Sequence, residues 1–463
     1  MKPVVSVDEM RAVDARALRS VPEAVLVERA GTAVATWALR MLGGGYGRRV
    51  VVVAGKGNNG ADGKVAAERL RRRGARVTVL DAADAPARLG PAGEVHLVID
   101  AAYGTGFRGE YRAPAVPAGV PVLAVDIPSG VDGDTGVACG EPLRADVTVT
   151  FAALKPGLLQ GDGAVLGGRV EVADIGLDTS GARMALVEDA DVAALLPRRA
   201  RDAHKWQTAL AVVAGSPGMT GAAALCARAA YRAGAGMVRV GVPGAEPAEL
   251  PVSEAVGTAL PDRGWAGAAL TMAERCRAGV IGPGLGRRPD TGAEVRAFLS
   301  QAPVPVVVDA DGLFALGRGE EVPAALGGAQ TSGPPRVLTP HDGEFARLAG
   351  SAPGADRVAA ATALAARCGA VVLLKGSTTV VAGPGDRVLV AAAGSSRLAT
   401  AGTGDVLSGV IGAFLARGVA PVEAAALAAH VHGRAAALGA SEGLMAGDLG
   451  DLVARWLSGI RRG

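Results

Sequence analysis

The sequence predicts an α/β protein of two domains, and three observations support this prediction. The chain has 463 residues, whereas a single hydrophobic core stops growing at roughly 250–300 residues. Short apolar runs alternate with glycine-rich loops and helical patterns, which is typical of parallel strands buried on both faces. This alternation stops between about residues 176 and 205 and then begins again. We therefore expect two sheets of parallel strands, each covered by helices.

The first half is expected to begin with helix and to continue with strands separated by loops. The helical pattern covers about residues 6–41, and a second one covers 60–73 after the first glycine loop. Runs such as "RRVVVVAG" are rich in β-branched residues and have the length of single strands. The predicted strands are 48–55, 76–80, 94–100, 120–128 and 145–153.

The domain boundary is predicted from a change in composition. The stretch "LPRRARDAHK" (196–205) contains five basic residues and few apolar ones, and "TALAVVAG" (208–215) then restarts the strand pattern. Basic, apolar-poor stretches are typical of exposed connections rather than of a core. We expect an N-terminal domain at 1–180, a linker at 181–205 and a C-terminal domain at 206–463.

The second half repeats the alternation of strands and helices, although its glycine motifs do not align with those of the first half. The charge-free run from Thr208 to Ala227 has about the length of a membrane span, but "GSPGMTG" interrupts it and favours strand, loop and helix. The predicted strands are 209–214, 236–242, 278–282, 304–309, 336–339 and 370–375, and the predicted helices are 220–234, 356–369, 405–417 and 420–437.

Composition favours a small-molecule partner. Lys plus Arg (48) nearly balances Asp plus Glu (45), and aromatic residues make up 3%, so no nucleic-acid-binding surface is indicated. Cys139, Cys226, Cys276 and Cys368 are scattered without a CxxC pattern, which argues against zinc and disulfides and fits a reducing cytoplasm. Charges occupy the start of the chain where an export signal would be apolar.

The first glycine loop, "AGKGNNGADG" (54–63), contains Gly55, Gly57 and Gly60 as a literal G-x-G-x-x-G between a strand and a helix. Asp81 ends the next strand, so the pattern matches a dinucleotide-binding fingerprint and a nicotinamide-dependent oxidoreductase is one hypothesis. The polar run at 58–62 is unusual for such a loop and weakens that hypothesis.

Two further loops follow predicted strands, "DAAYGTGFRGE" (100–110) and "VDIPSGVDGDTG" (125–136). Ligands of open parallel sheets bind at the carboxyl ends of strands, where these loops should meet. The oxygen-bearing side chains of Asn59, Asp100 and Ser129 suit a hard cation.

These loops, with "PEAVLVERAG" (22–31) and "TFAALKPGLLQGDG" (150–163), resemble the NAD(P)H-hydrate epimerase domain over about residues 1–180. The resemblance implies a Rossmann-like α/β/α fold that interconverts the R and S hydrates of NADH and NADPH, with potassium bound by Asn59, Asp100 and Ser129. Ala61 stands where that family usually has glycine. The implied substrate contacts are Asn58, Asn59, Gly60, Ala61, Asp62, Gly104, Thr105, Gly106, Phe107, Arg108, Gly109, Glu110 and Asp126.

Lys155 and Asp126 are the candidates for proton transfer in this domain, because inversion at a hemiaminal-like carbon requires a group that moves protons. Two structural roles remain open as alternatives, namely a surface lysine and an aspartate that caps its own turn.

In the second half, "TAGTGDVLSGVIGAF" (400–414) places a turn of small residues at the start of a helix, where backbone N–H groups and the helix dipole favour an anion. Further loops at strand ends are "GSPGMTG" (215–221), "GPGLG" (282–286), "LTPHDGEFARL" (338–348) and "KGSTTVV" (375–381). No GxxxxGK[ST] occurs, so these loops indicate a nucleotide site of another kind than the P-loop.

The order of these motifs, together with "HK" (204–205), resembles the ribokinase-like superfamily and its ADP/ATP-dependent NAD(P)H-hydrate dehydratase branch over roughly residues 185–460. Trp206 and Gln207 depart from the family pattern after "HK". The resemblance implies Mg²⁺ with ADP or ATP. It assigns the nucleotide to Lys375, Gly376, Ser377, Thr378, Thr379 and Gly404, and the hydrate to Gly286, His341 and Asp405, with Asp405 as the base.

The two halves agree on one substrate and predict a bifunctional cytoplasmic repair enzyme for hydrated NADH and NADPH. We expect a homo-oligomer with no nucleic-acid or membrane partner. Asp405 as a helix N-cap and His341 as a structural histidine stay open as alternatives. Three other functions also stay open: a small-molecule kinase with a passenger N-terminal domain, a nicotinamide-dependent oxidoreductase, and an N-terminal half that is a non-enzymatic binding or scaffold module.

Overall fold

The computed structural model describes residues 1–91, 93–246, 252–326 and 333–460. The chain forms two compact units, residues 2–183 and residues 184–463 together with Met1. Most of the predicted linker at 181–205 lies in the second unit, because strand β10 (Met184–Leu186) pairs in parallel with β19 (Val388–Ala391).

The first unit contains a parallel sheet in the order β3-β2-β4-β6-β8-β9, together with a short β5/β7 pair. Its parallel character was predicted from the continuous apolar strands and is confirmed. The elements are β1 Lys2–Val4, α1 Val7–Ala17, α2 Glu23–Leu42, β2 Arg49–Ala54, α3 Asn58–Arg72, β3 Arg76–Asp81, β4 Leu97–Ala101, β5 Tyr111–Arg112, β6 Val122–Val125, β7 Gly140–Glu141, β8 Val147–Phe151, α4 Gly163–Leu166 and β9 Arg169–Ala173.

Helices α2 and α3 cover one face of this sheet. Gly31 of α2 allows their close approach, since a Cβ atom at that position would lie 2.5 Å from the side chain of Val65. The other face packs against the connections between strands and the short strand β5, which contribute Leu89, Val95 and Tyr111 to a second apolar cluster. Both faces of the strands are therefore buried, as continuous apolar strands require.

Two elements of the first unit differ from the prediction. The helical region 6–41 is two helices, because Ser6 caps α1 and a turn ending at Pro22 separates it from α2. Strand β9 was not predicted; it carries Arg169 and Glu171 and lies at the edge of the sheet, where a charged strand with little apolar signal is tolerated.

The second unit contains strands in the order β10-β19-β18-β17-β16-β15-β14-β11-β12-β13, of which β18 runs antiparallel to both neighbours. The other neighbouring pairs in this series are parallel. The elements between β10 and β19 are α5 Asp189–Leu195, β11 Ala209–Val213, α6 Thr220–Arg232, β12 Met237–Pro243, β13 Val256–Leu260, α7 Ala266–Ala273, β14 Ala278–Ile281, α8 Pro289–Gln301, β15 Val306–Val308, α9 Asp311–Ala315, α10 Glu321–Ala325, β16 Arg336–Leu338, α11 Asp342–Ala349, α12 Arg357–Cys368, β17 Val371–Leu374 and β18 Thr379–Ala382.

Three helices follow β19, and they complete the main core of this unit with α6. They are α13 Thr403–Ala416, α14 Pro421–Ala436 and α15 Ala446–Ile460. Gly409 of α13 packs so tightly on α6 that an added Cβ atom would lie 2.2 Å from the carbonyl oxygen of Cys226.

The charge-free run from Thr208 to Ala227 forms β11, a loop and the first part of α6, as the interrupting glycines predicted. Within the described residues, no helix combines the length and the apolar character that crossing a membrane requires.

Candidate active sites

A cavity of about 540 Å³ opens at the carboxyl edge of the first unit's sheet. Loops after β2, β4, β6 and β8 meet there, as expected for the carboxyl ends of parallel strands. Gly60, Ala61, Arg108, Gly109 and Glu110 are not among its lining residues. The predicted site residues that line it are Asn58, Asn59, Asp62, Gly104, Thr105, Gly106, Phe107, Asp126 and Lys155.

Lys155 and Asp126 form a buried ion pair in the wall of this cavity. The Nζ atom of Lys155 lies 2.6 Å from Oδ1 of Asp126 and also donates to Thr150 Oγ1 (2.8 Å) and the Phe151 carbonyl (3.1 Å). The lysine side chain is 1% exposed, so the alternative of a surface lysine is wrong. Asp126 accepts a further bond from Thr150 at 3.0 Å, so its carboxylate points to the end of β8.

The backbone at Asp126 is held in an uncommon conformation, with φ at +65°. Ala152, in the loop that leads to Lys155, has φ of +62°. Non-glycine residues with positive φ cost conformational energy and cluster at functional sites. The two uncommon backbone conformations thus occur at Asp126 and in the loop that leads to Lys155, in the wall of the cavity.

Two of the other carboxyl groups that line the cavity have raised pKa values. Burial raises the pKa of Asp62 to about 8, with a further contribution from the nearby charge of Asp126. Burial also raises the pKa of Asp14, although Lys155 lowers it in part. Asp14 was missed by the sequence analysis because it lies on α1 in an ordinary amphipathic pattern, with no glycine loop to single it out.

The predicted potassium ligands Asp100 and Ser129 lie in direct contact. Asp100 accepts hydrogen bonds from Ser129 Oγ (2.6 Å) and the Ser129 backbone N–H (2.9 Å). Burial raises the pKa of Asp100, although these bonds from Ser129 lower it in part. Asp100 is 1% exposed, and in the described part of the chain no Lys or Arg side chain pairs with it. Such a buried carboxylate fits a bound cation, which would supply the missing positive charge.

Asn59 completes this predicted set from the neighbouring helix α3. Its side chain is 9% exposed, and its Nδ2 atom is buried without a hydrogen-bond partner among the described residues. The Asn59 carboxamide lies beside Gly104, where a Cβ atom would be 3.4 Å from Oδ1. An amide oxygen turned toward Asp100 would suit a hard cation.

The glycines of the first loop serve close backbone packing. A Cβ atom would lie 1.9 Å from the Ala102 carbonyl at Gly55 and 1.9 Å from the Gly55 carbonyl at Gly60. The six-stranded sheet has the sequential order 2-1-3-4-5-6 rather than the 3-2-1-4-5-6 of dinucleotide-binding dehydrogenases. Asp81 is exposed and accepts from Ala83 N–H in its own turn. The oxidoreductase hypothesis loses its structural basis.

In the second unit, Asp405 is the third residue of α13, and Gly402 is the N-cap with φ of +88°. The alternative of Asp405 as the N-cap is therefore wrong. Burial raises the pKa of Asp405 to about 7, and the carboxylates of Asp309 and Asp311 act in the same direction, whereas Lys375 lowers it. A carboxyl group of this kind is suited to accept a proton near neutral pH.

Asp309 anchors Lys375 beside Asp405. It follows β15 and is 2% exposed, and it accepts hydrogen bonds from Lys375 Nζ (2.9 Å), Thr339 Oγ1 (2.8 Å) and Ser408 Oγ (2.8 Å). Burial alone would lower the pKa of Lys375, but the carboxylates of Asp309 and Glu344 raise it, so the ammonium stays charged. The sequence analysis missed Asp309, although its place directly after an apolar strand is a usable signal.

The other predicted contacts lie around this pair. A Cβ atom at Gly404 would lie 3.6 Å from Lys375 Nζ, so the N-terminal turn of α13 borders the lysine directly. Gly286 has φ of +78° and donates its N–H to Asp311 (2.9 Å), and a Cβ atom added there would meet no heavy atom of the described residues within 4 Å. Gly286 therefore leaves open space beside Asp311, whereas Gly404 lies in contact range of Lys375 and Asp309.

His341 has a structural role as well as a place in a cavity. It is the N-cap of α11, and its Nδ1 atom accepts from the N–H groups of Gly343 (3.0 Å) and Glu344 (3.3 Å). Its side chain is 61% exposed and lines a cavity of about 200 Å³. The capping bonds orient the ring toward that cavity.

The predicted nucleotide loop connects β17 to β18. Thr378 is buried, Gly376 and Ser377 are exposed, and Thr379 is half-buried. A Cβ atom at Gly394 would lie 2.5 Å from the Ser377 carbonyl, so a second loop supports this one closely.

No contact was predicted for Trp206 or for His432. Trp206 lies in a 3₁₀ turn just before β11, at the amino edge of the sheet, and stacks under Arg275 at 4.0 Å. The "HK" segment of the same turn is therefore not brought to Asp405 within this unit.

Burial lowers the pKa of His432 to about 4, and Lys375 acts in the same direction. His432 lies in the apolar pattern of α14, where no sequence signal marks it.

Comparison with known proteins identifies relatives of both units. A family profile described as NAD(P)H-hydrate dehydratase matches residues 210–456. A second profile, described as YjeF-related protein N-terminus, matches residues 23–90 and 81–157.

Two relatives that align with nearly the whole chain are both named bifunctional NAD(P)H-hydrate repair enzyme Nnr. The protein of Mycobacterium leprae is 40% identical over 488 residues, covering 100% of this chain and 99% of its own. That of Mycobacterium tuberculosis H37Rv is 43% identical over 453 residues, covering 92% of each.

Solved structures resemble the second unit. The ADP/ATP-dependent NAD(P)H-hydrate dehydratase of Bacillus subtilis, co-crystallised with ATP and Mg²⁺, matches with a TM-score of 0.51 and 30% identity, covering 59% of this chain and 97% of its own. A ribokinase-like superfamily protein of Enterococcus faecalis matches with a TM-score of 0.52 and 20% identity, covering 60% and 97%, which supports the ribokinase-like fold. With two matching domains and relatives aligned end to end, the chain belongs to the family of bifunctional NAD(P)H-hydrate repair enzymes.

Proposed function

We propose that this protein repairs hydrated NADH and NADPH. The N-terminal domain interconverts the R and S hydrates, and the C-terminal domain returns the S hydrate to the reduced cofactor at the expense of ADP or ATP. The observation that carries the proposal is Asp405, a carboxyl group with a pKa of about 7 beside the Lys375–Asp309 pair at the start of a buried helix.

Asp405 acts as the general base of the dehydratase. It takes the proton of the hydrate's ring hydroxyl as that oxygen attacks the terminal phosphate of the nucleotide. The phosphate then leaves with the former hydroxyl oxygen, and loss of a proton from the adjacent ring carbon restores the double bond. Phosphorylation is needed because hydroxide is a poor leaving group.

Lys375 and the turn at Gly402 to Gly404 stabilise the transferred phosphoryl group. The ammonium of Lys375, held 2.9 Å from Asp309, offers a fixed positive charge, and the N-terminal N–H groups of α13 add partial positive charge. Preorganised charges of this kind cost no rearrangement during the reaction.

Magnesium is expected with the nucleotide, where it neutralises charge on the transferred phosphate. The described residues contain no cluster of three or more His, Cys, Asp or Glu side chains that could hold a metal by themselves. Mg²⁺ would enter with the nucleotide phosphates, and Asp405 and Asp309 are carboxylates of this site that would be available to it.

The N-terminal cavity has the size and polarity for the hydrated nicotinamide end of the substrate. At about 540 Å³ it falls in the usual range of small-molecule sites. The Lys155 ammonium donates to the Asp126 carboxylate at 2.6 Å, so a proton donor and a proton acceptor lie side by side in the cavity wall, and Asp62 on α3 supplies a further acid. Potassium at Asp100, Ser129 and Asn59 would orient the neighbouring loops.

The proposal also includes the domain boundaries, the cytoplasmic location and the oligomeric state. The epimerase is assigned to residues 1–180 and the dehydratase to residues 206–463, with which residues 184–205 fold in one unit. The four cysteines are free thiols, which suits a reducing cytoplasm. A homo-oligomer is expected.

The decisive experiment supplies the purified protein with mixed R and S hydrates of NADH, with ADP or ATP, and follows the return of NADH by absorbance. The wild type should return all of it, Asp405→Asn should return none, and Lys155→Met should return only the S fraction promptly. A kinase would instead release a stable phosphorylated product, and an oxidoreductase would oxidise or reduce a second substrate. An N-terminal half that is only a binding or scaffold module would tolerate Asp126→Asn without losing any turnover.

A further inference from the structure

The small cavity beside His341 carries an unusual concentration of positive charge. It has a volume of about 200 Å³ and is lined by Arg287, Arg347, Phe314, His341 and Glu344, among others. A volume this small cannot enclose a dinucleotide, whose sites span roughly 300–1,000 Å³, but it suffices for one charged group.

Both arginines lie against the same aromatic ring. The guanidinium carbon of Arg347 is 3.8 Å from the centroid of Phe314, and that of Arg287 is 4.8 Å away. A guanidinium that contacts an aromatic ring keeps its orientation, and its N–H groups remain free to donate at the edge. The two cations are thus fixed close together at one cavity.

The hydrogen-bond capacity of these arginines is largely unused. Arg287 donates through Nε to Asp311 at 2.8 Å, and among the described residues no acceptor pairs with its two terminal nitrogens. Arg347 makes one long bond to the Phe314 carbonyl (3.5 Å), and its Nε atom is buried without a partner in the described part of the chain. Planar forks with free donors match phosphate oxygens.

The charge balance favours an anion. Burial lowers the pKa of Arg347, and the positive charges of Arg318 and Arg287 act in the same direction. Three acids lie nearby. Asp311 is engaged by Arg287 and by Gly286 N–H, and Glu344 accepts from the His341 backbone N–H (3.0 Å) and lies 3.8 Å from Lys375. Glu321, which raises the pKa of Arg347 in part, accepts from Arg318 N–H at 2.8 Å. An anion between the two guanidinium groups would relieve their repulsion.

The position of the cavity indicates which anion this is. Glu344 lines the cavity and also approaches Lys375, so the arginines adjoin the phosphoryl-transfer site without belonging to it. Gly286 precedes Arg287, and His341 faces the same space. Given the proposed dehydratase function, we propose that Arg287 and Arg347 bind a phosphate group of the hydrated dinucleotide substrate.

The experiment compares Arg287→Met and Arg347→Lys with the wild type, measuring kcat and KM for the S hydrates of NADH and NADPH at saturating ADP. We expect KM to rise about tenfold or more with kcat little changed, since a lost charge-assisted hydrogen bond weakens binding without touching the reacting atoms. A rise for both substrates identifies the pyrophosphate, and a rise for NADPH hydrate alone identifies the 2′-phosphate.

Arg288→Met is the matched control, because Arg288 is the next residue, is half-exposed and pairs with Asp262 at 2.9 Å outside the cavity. Its KM values should equal those of the wild type. Unchanged KM for both hydrates in both variants, or a rise in KM for ADP instead, would overturn the proposal. Arg287 is 62% exposed, so its variant decides the question even if Arg347→Lys folds poorly. A wild type that returns no NADH from the S hydrate would instead refute the proposed function itself.

Discussion

The Nζ atom of Lys155 lies 2.6 Å from Oδ1 of Asp126, and the lysine is 1% exposed. A charge this well buried is stable only because its partner is buried with it and further oxygens accept its protons. Thr150 and Phe151 supply these oxygens from the end of β8. The pair therefore contributes to the stability of the first unit and also lines the cavity in which proton transfer is proposed.

Lys155→Met should abolish epimerisation and lower stability. Removing one partner leaves the other charge uncompensated, which costs about 3–5 kcal/mol in a buried pair. The free energy of unfolding of the transition that reports the first unit should fall by this amount in denaturant titrations. Turnover of the R hydrate should fall by at least about 100-fold, the usual contribution of a general acid or base.

The S hydrate provides the internal control for this variant. Because Asp405 and Lys375 belong to the other unit, Lys155→Met should dehydrate S hydrate at the wild-type rate. Wild-type turnover of R hydrate by Lys155→Met would show that the lysine has no part in proton transfer.

The dehydratase rate should depend on pH through Asp405. Its pKa is raised to about 7, and only the ionised carboxylate can accept the hydroxyl proton. Below pH 7 the ionised fraction falls about tenfold per pH unit, so kcat/KM for S hydrate should rise with pH and level off above about 7. A rate that stays constant between about pH 5.5 and 8 would contradict the assignment of the base.

Asp100→Asn should remove the response to potassium. Replacing K⁺ by choline should slow the wild-type epimerase and lower its midpoint of thermal unfolding, since a ligand that binds only the folded state stabilises it. The epimerase activity of Asp100→Asn should be low, and replacing K⁺ by choline should change neither that activity nor the midpoint of thermal unfolding, because the amide lacks the charge that attracts the ion. Asp81→Asn, which changes an exposed acid at the end of β3 in the same sheet, should behave as the wild type. A K⁺ response retained by Asp100→Asn would place the ion elsewhere.

Two glycines of α13 should respond differently to alanine. At Gly404 the new methyl group would lie 3.6 Å from Lys375 Nζ, an ordinary contact, so Gly404→Ala should fold but raise KM for ADP about tenfold by occupying space above the lysine. At Gly409 it would lie 2.2 Å from the Cys226 carbonyl, so Gly409→Ala should cost about 1–3 kcal/mol of stability. Equal effects of both substitutions on KM would argue against a phosphate beside Gly404.

Much of the architecture was open to prediction because local patterns carry it. The apolar strands β2, β4 and β8 and the breaker residues between Thr208 and Ala227 determine their own conformations from hydrophobic period and turn chemistry. Strands β9 and β13 were not predicted, because strands at the edge of a sheet need little apolar sequence. Strands β18 and β19 were not predicted either, because the partners with which a strand pairs are a property of the whole sheet.

The sequence by itself determined the glycine loops, the order of the motifs and the strand ends that bear Asp100, Asp126 and Lys375, because parallel strands bring their carboxyl ends to one edge. Only the tertiary structure decided the state of these groups. The burial of Lys155, the raised pKa of Asp405 and the shared contact of Arg287 and Arg347 with Phe314 depend on solvent exclusion and on neighbours distant in the chain. Desolvation and Coulombic energies follow distances in space, which residue spacing does not specify.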